Sequence, residues 1–224
     1  MHAHGQERVL RLPAGQGAAL PGVAARASLT RMIWNLLEEL QLQPQDLQQI
    51  VADIGPGSFV GLRQGLAVAQ TLAWANRTPA AGLSSLRIMA AELLKTTDEV
   101  RIAVALPARV GIDFVGHRAA DGTWQEAAIP LAQWPTWLQM NQPRILAIPQ
   151  AEMTRPSVQM AREQGVEIVP AHPDAETLGQ LFTARPKDDS VNFASLLPRY
   201  LAVSEAEVHA GIALPEAATP AVTG

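Results

Sequence analysis

The sequence predicts an α/β fold, on three observations. Short apolar runs alternate with segments whose apolar residues recur every three or four positions, the pattern of strands interleaved with amphipathic helices. Of the 224 residues, 48% are hydrophobic, enough to bury a substantial core and to argue against wholesale disorder. Seventeen prolines and sixteen glycines imply many short elements separated by turns.

In chain order, residues 8–12 read as a short strand candidate, and residues 13–27 are Gly, Ala and Pro without periodicity. Ser28 reads as an N-cap. The helix after it places Leu29, Met32, Ile33, Leu36 and Leu40 on one apolar sector, which Thr30, Trp34 and Leu37 continue around the cylinder, and ends before Pro44. Residues 47–54 read as a buried strand, stopped by Gly55-Pro56-Gly57. A second helix is expected over 58–76, a strand over 78–83, and a third helix capped by Ser84 or Ser85 with Leu86, Met89, Ala90 and Leu93 inward. The polar stretch 96–99 marks a lobe boundary. Strands follow at 101–106 and 112–118, the latter joined through the Asp121-Gly122 turn to the Trp124 segment as a hairpin. Further strands are expected at 145–148 and 166–169, and helices at 155–164, with Gly165 as its stop, and 175–184. Trp124, Trp134 and Trp137 are read as packing residues of the second lobe. The expected organisation is an N-terminal lobe over 1–97, a C-terminal lobe over 98–203 and a flexible tail over 204–224.

Net charge is −4, and no run of Lys or Arg is long enough to track a phosphate backbone, which disfavours direct nucleic-acid binding by this chain alone. Cysteine is absent, so disulfides and thiolate metal sites are excluded. No segment reaches the roughly 18 consecutive apolar residues of a membrane span. The N-terminal residues lack the apolar stretch of a signal peptide, and the expectation is a soluble cytoplasmic protein.

The functional centre is residues 50–76. There a strand feeds the turn Gly55-Pro56-Gly57-Ser58, and the turn feeds a helix. Free backbone N–H groups at such a helix start suit an anion. Two readings compete: a phosphate cradle, or a tight turn with Ser58 as cap. The turn lacks the Lys-Ser or Lys-Thr of a phosphate-binding P-loop and the spacing of a dinucleotide fingerprint. In the helix, Gly61, Gly65, Ala69 and Ala73 recur every four residues as a ridge of small side chains that admits a close helix. Val68 and Leu72 flank it on one side, Leu62 and Leu66 on the other. Gly65 inside a helix costs about 1 kcal/mol relative to Ala, which a close neighbour should offset. The partner is either the first helix or another chain. Trp34 lies beyond a core-only stripe, and exposed Trp is enriched at interfaces.

The run from Gly55 through Ser58, Phe59, Val60, Gly61 and Leu62 to Arg63, followed by Gly65, Ala67, Ala69, Leu72 and Ala73, resembles the TsaB family of proteins that take part in threonylcarbamoyladenosine modification of transfer RNA. Val60 stands where Thr is usual. Pro79-Ala80-Ala81-Gly82-Leu83-Ser84-Ser85-Leu86 is similar to the family's next strand. Ala108-Arg109-Val110-Gly111 resembles its A-R-x-G turn, with Pro107 where an acid is usual, and Leu197-Pro198-Arg199-Tyr200-Leu201 resembles its closing segment. The family's opening strand with an acidic end, and the His at the entrance of its first helix, have no counterpart; Ala27-Ser28 stands at that entrance. The resemblance implies a two-lobed fold related to actin-like ATPases and sugar kinases, with an N-terminal lobe short of strands and edges that another chain could cover. It implies a non-catalytic subunit without cofactor or working nucleotide site. The implied partners are the transferase TsaD, through the first two helices, and the ATPase TsaE; the same helices mediate homodimers. The expected partner-binding residues are Thr30, Ile33, Trp34, Leu37, Gly61, Gly65, Ala69, Leu72 and Ala73.

Other constellations are weaker. His2, His4, His117, His172 and His209 form no helical metal pair, and no ligand set supports a metallopeptidase. Ser84 and Ser85 lack His and Asp partners for nucleophilic catalysis. Asp188 and Asp189 read as solvated. Asp53, at the strand end, could hold a cation in an active kinase relative. The rival function is a phosphotransferase or hydrolase using the loop from Gly55 to Ser58. A third reading is a diverged homodimer outside transfer-RNA modification.

Overall fold

A computed structural model describes residues 28–119, 121–183 and 196–201. The short strand candidate at residues 8–12, His2, His4, His209, Asp188, Asp189 and the tail fall outside these residues.

Among the described residues, two sheets organise the fold. The first is a parallel pair, β1 (Ile50–Asp53) and β2 (Ala80–Leu83), registered Ile50 opposite Ala80. The second has five strands in the order β5-β4-β3-β6-β7, from β3 (Ile102–Arg109), β4 (Ile112–Arg118), β5 (Trp124–Pro130), β6 (Ile145–Ile148) and β7 (Glu167–Pro170). The β3-β4-β5 meander is antiparallel and β3-β6-β7 parallel. Six α-helices join them: α1 (Ser28–Glu39), α2 (Phe59–Asn76), α3 (Ser85–Leu93), α4 (Trp134–Asn141), α5 (Pro156–Glu163) and α6 (Ala175–Thr183).

Alternation along the strands sets the layers, because successive side chains leave a strand on opposite faces. Ala103, Ala105, Leu146 and Ile148 face Trp134, Trp137 and Leu138 of α4 and Val158 and Ala161 of α5. Ile102, Val104, Ile145 and Ala147 face Leu86, Met89, Ala90 and Leu93 of α3, the inward set expected from the sequence. The large sheet is thus covered on both faces. In the small sheet Ala52 and Ala80 face α2, while Val51, Ala81 and Leu83 face α6 and Ile88. The boundary expected at 97/98 falls in the loop between α3 and β3. Packing crosses it both ways: α3 covers the large sheet, and α6 covers the small one.

Several expected elements differ in extent. Helix α1 begins at Ser28. The strand expected over 47–54 shrinks to Ile50–Asp53, since Pro44–Asp46 forms a 3-10 turn in which the Asp46 carboxylate accepts from the Gln43 N–H at 2.8 Å. β2 starts at Ala80, not at 78, because Thr78 donates its backbone N–H to Ala73 at the end of α2 and its hydroxyl to the Leu47 carbonyl. β3 runs on to Arg109 through Pro107; β6 pairs with it only at Ile102, Ala103 and Val104, so the missing proline N–H falls where the strand has a neighbour on one side alone. Helix α4 was not anticipated: it has no side-chain cap and carries Pro135 at its start.

Candidate functional site

The turn between β1 and α2 is built around Asp53. Its Oδ1 accepts the Gly55 N–H at 2.8 Å and the Ser85 hydroxyl at 2.6 Å. The Ser85 N–H donates to the Gly55 carbonyl at 2.8 Å, tying the start of α3 to the same turn. Burial raises the Asp53 pKa above the ordinary carboxyl value; the bonds from Ser85 and Gly55 pull it down, and the nearby Glu126 carboxylate adds to the rise. Gly55 has φ +95°, and a Cβ there would meet Leu62 Cδ2 at 2.9 Å, so this position demands glycine. Ser58 caps α2, accepting from the Gly61 N–H at 3.5 Å. Ser84 caps α3 through the Leu86 N–H at 3.2 Å, which leaves Ser85 free to hold Asp53.

This arrangement favours the tight-turn reading over the phosphate cradle. The Gly55 and Gly61 N–H groups are already used, and the Asp53 carboxyl stands at the turn where a phosphate would need positive charge. Among the described residues no group of three or more His, Cys, Asp or Glu side chains could hold a metal ion. His117 is buried edge-on against Trp137, and that burial lowers its pKa; His172 is exposed.

A segment that sequence reasoning touched only lightly completes the turn. Residues 196–201 fold back over α2. Leu196 is fully buried against Leu66, Ala69 and Ala73, and its carbonyl accepts from Gln70 at 2.8 Å. The Arg199 N–H donates to the Ile54 carbonyl at 2.7 Å, extending the end of β1. The Arg199 guanidinium pairs with Glu126 of β5, whose other oxygen accepts from the Trp124 indole. Tyr200 accepts from Arg63 at 3.0 Å, and Arg63 lies 3.8 Å over the Phe59 ring. Nothing local in the sequence marks Glu126 as the partner of Arg199, 73 residues later.

The small-residue ridge divides in two. Ala69 and Ala73 are consumed by the chain's own core, with Leu66. Gly61 and Gly65 are not: a Cβ at Gly65 would meet nothing within 4 Å, and one at Gly61 would meet only Ser58. Gly61, Gly65, Val68 and Leu72 instead line a groove of about 470 Å³ shared with Leu29 and Ile33 of α1 and with Asp53 and Ser85. It continues through Ile33, Val68 and Leu72 into a second hollow of about 300 Å³, lined by Thr30, Trp34, Leu37 and Ala67. Thus eight of the nine expected partner-binding residues (all but Ala73) border one apolar trough between α1 and α2, and Ala69 is shared between the trough and the core. Leu37 is its buried floor at 5% exposure, while Trp34 stands at its rim at 53%.

The family model described as "TsaD: tRNA N6-adenosine threonylcarbamoyltransferase" matches residues 11–128. A Bacillus subtilis protein named tRNA threonylcarbamoyladenosine biosynthesis protein TsaB is 44% identical over 59 residues, 26% of each chain. The Escherichia coli protein of the same name is 32% identical over 95 residues, 42% of this chain and 41% of that protein. These matches span well under half the length of those relatives. A solved structure titled "YeaZ from Pseudomonas aeruginosa" superposes with a TM-score of 0.62 at 25% identity, covering 80% of this chain and 86% of that one. Another, titled as similar to peptidase YEAZ from the same organism, gives 0.63 at 25% identity and covers 80% and 85%.

Proposed function

We propose a function from one premise: the chain belongs to the family of that TsaD model, as a TsaB-type member. Its fold is of the actin-like ATPase type. The chain is a non-catalytic subunit of the assembly that makes threonylcarbamoyladenosine in transfer RNA. It docks through α1 and α2 onto a TsaD-type transferase, with a TsaE-type ATPase joining, and pairs with a second copy of itself when the transferase is absent. Such work belongs to the cytoplasm, and no described helix is long and apolar enough to cross a membrane.

The observation that supports this reading is the open half of the ridge. Gly61 and Gly65 bear no side chain, have no neighbour among the described residues filling the space in front of them, and form one wall of an apolar trough rimmed by Trp34. A partner helix laid there would approach the α2 backbone closely and bury the surface that α1 leaves uncovered. Gly65→Leu is the direct test. The added side chain enters open space, so the fold stays intact and the helix gains about 1 kcal/mol of propensity. Co-purification with a TsaD-type transferase is expected to be lost, and unchanged co-purification would remove this interface from consideration. Ala69→Trp is a poor probe, because Ala69 is packed in the core. The rival phosphotransferase is opposed by the Asp53 carboxyl at the turn; tight binding of ATP and magnesium by the isolated chain, measured by calorimetry, would favour it.

A further inference from the structure

A third cavity lies on the opposite side of α3 from the turn, and the proposed docking leaves it unused. It encloses about 410 Å³, within the range of small-molecule sites. Its wall combines apolar side chains from four elements with two arginines: Leu83 of β2, Leu94 after α3, Leu181 of α6, the ring of Trp124, Arg87 of α3 and Arg118 of β4. Among the described residues no acidic side chain lines it. Arg87 and Arg118 make no ion pair among the described residues, unlike Arg155 and Arg199, which are paired with carboxylates. In a chain of net charge −4, two cations converge here on one concave apolar surface.

Trp124 is rigidly placed. Its ring lies so close over Gly116 that a Cβ there would come within 2.5 Å of it, and its indole N–H is held by Glu126 at 2.8 Å. The ring is half-buried and keeps a surface toward the cavity. A fixed aromatic ring offers stacking, and guanidinium groups offer forked hydrogen bonds to a carboxylate or phosphate.

We infer that this cavity binds a small molecule with a flat apolar body and one anionic head, the body against Trp124, Leu94 and Leu181 and the head on Arg87 and Arg118. Carboxylate and phosphate heads share this chemistry. The test uses the full chain and follows the Trp124 indole N–H by NMR, assigned by its disappearance in Trp124→Phe. The probes are 1-naphthyl phosphate and 1-naphthoate, with 1-naphthol and inorganic phosphate as controls. Saturable shifts are expected with one or both of the first two, and the tighter of them identifies the head. Binding is expected to weaken at least tenfold in the Arg87→Gln, Arg118→Gln double variant, whose substitutions are on exposed side chains, and to be unchanged in Gly65→Leu. The proposal is overturned if neither anionic probe binds saturably, if 1-naphthol binds as tightly as they do, or if the double variant binds them unchanged.

Discussion

The two sheets differ in how they dispose of their apolar surface. The five-stranded sheet is closed on both faces by helices, and Trp134 behind it is fully buried. The two-stranded sheet is closed by α2 and α6, but α1 lies beside it with one buried side chain, Leu37. Around α1 and α2 stand Trp34, Phe59, Val60 and Trp74, exposed by 39% to 76%. Large apolar groups scattered singly need no explanation, but Trp34 rims a trough whose glycine wall no described residue fills. One half of the molecule is finished internally; the other keeps apolar surface in reserve.

The sharpest way to break this contrast is to truncate a tryptophan in each half. Trp134→Ala should cost about 4 kcal/mol of stability in urea unfolding, through lost burial and a residual cavity. Trp34→Ala should stay within about 0.5 kcal/mol of the parent chain, as an exposed position does. Equal losses would mean that α1 belongs to the core.

A smaller effect is expected at Gly116. An added methyl group would collide with the Trp124 ring at 2.5 Å and with Leu86 Cβ at 3.0 Å, and neither has room to move, since the ring is tethered to Glu126 and Leu86 is buried. Gly116→Ala should cost about 2 kcal/mol by overpacking. Gly65→Ala, in open space on the other half, should instead stabilise slightly; both are read from the same unfolding curves.

The smallest effect concerns pH. Burial raises the folded-state pKa of Asp53, so the folded chain binds its proton more tightly than the unfolded chain. Stability contributed by the neutral carboxyl is therefore present below the unfolded value near 3.8 and declines as pH rises through the raised folded value. Asp53→Asn retains an oxygen able to accept from Ser85 and Gly55 and carries no charge to desolvate. Its melting temperature should fall less than that of the parent chain as pH is raised across this window. A parallel fall in both would remove Asp53 as the source.

Much of this was legible in the sequence. The Ser58 cap, the helix to Asn76 and the inward set of α3 follow from local spacing and capping chemistry, which a single segment carries whole. The Asp121-Gly122 turn likewise announced the β4–β5 hairpin. What spacing withholds is which neighbour a side chain meets. The ridge from Gly61 to Ala73 reads as one stripe, yet Leu196, from 123 residues beyond Ala73, occupies its far end and leaves the near end open. Asp53 could not be assigned its hydrogen-bond partner from the sequence, because Ser85 and the neighbouring Glu126 come from α3 and β5, far along the chain. Helix α4 escaped because eight residues with an early proline and no cap give too little periodicity to see.

The return of residues 196–201 over the turn has a consequence for synthesis on the ribosome. Of the described elements, those from α1 to β2 emerge first, but Leu196, which packs beside Leu66, Ala69 and Ala73, and Arg199, whose N–H meets the Ile54 carbonyl, are made much later. The first-made part of the described structure is therefore completed by nearly its last-made part. Until then its apolar surface is larger than in the finished protein, so a nascent chain has more to offer chaperones, or a partner already present, than the released one.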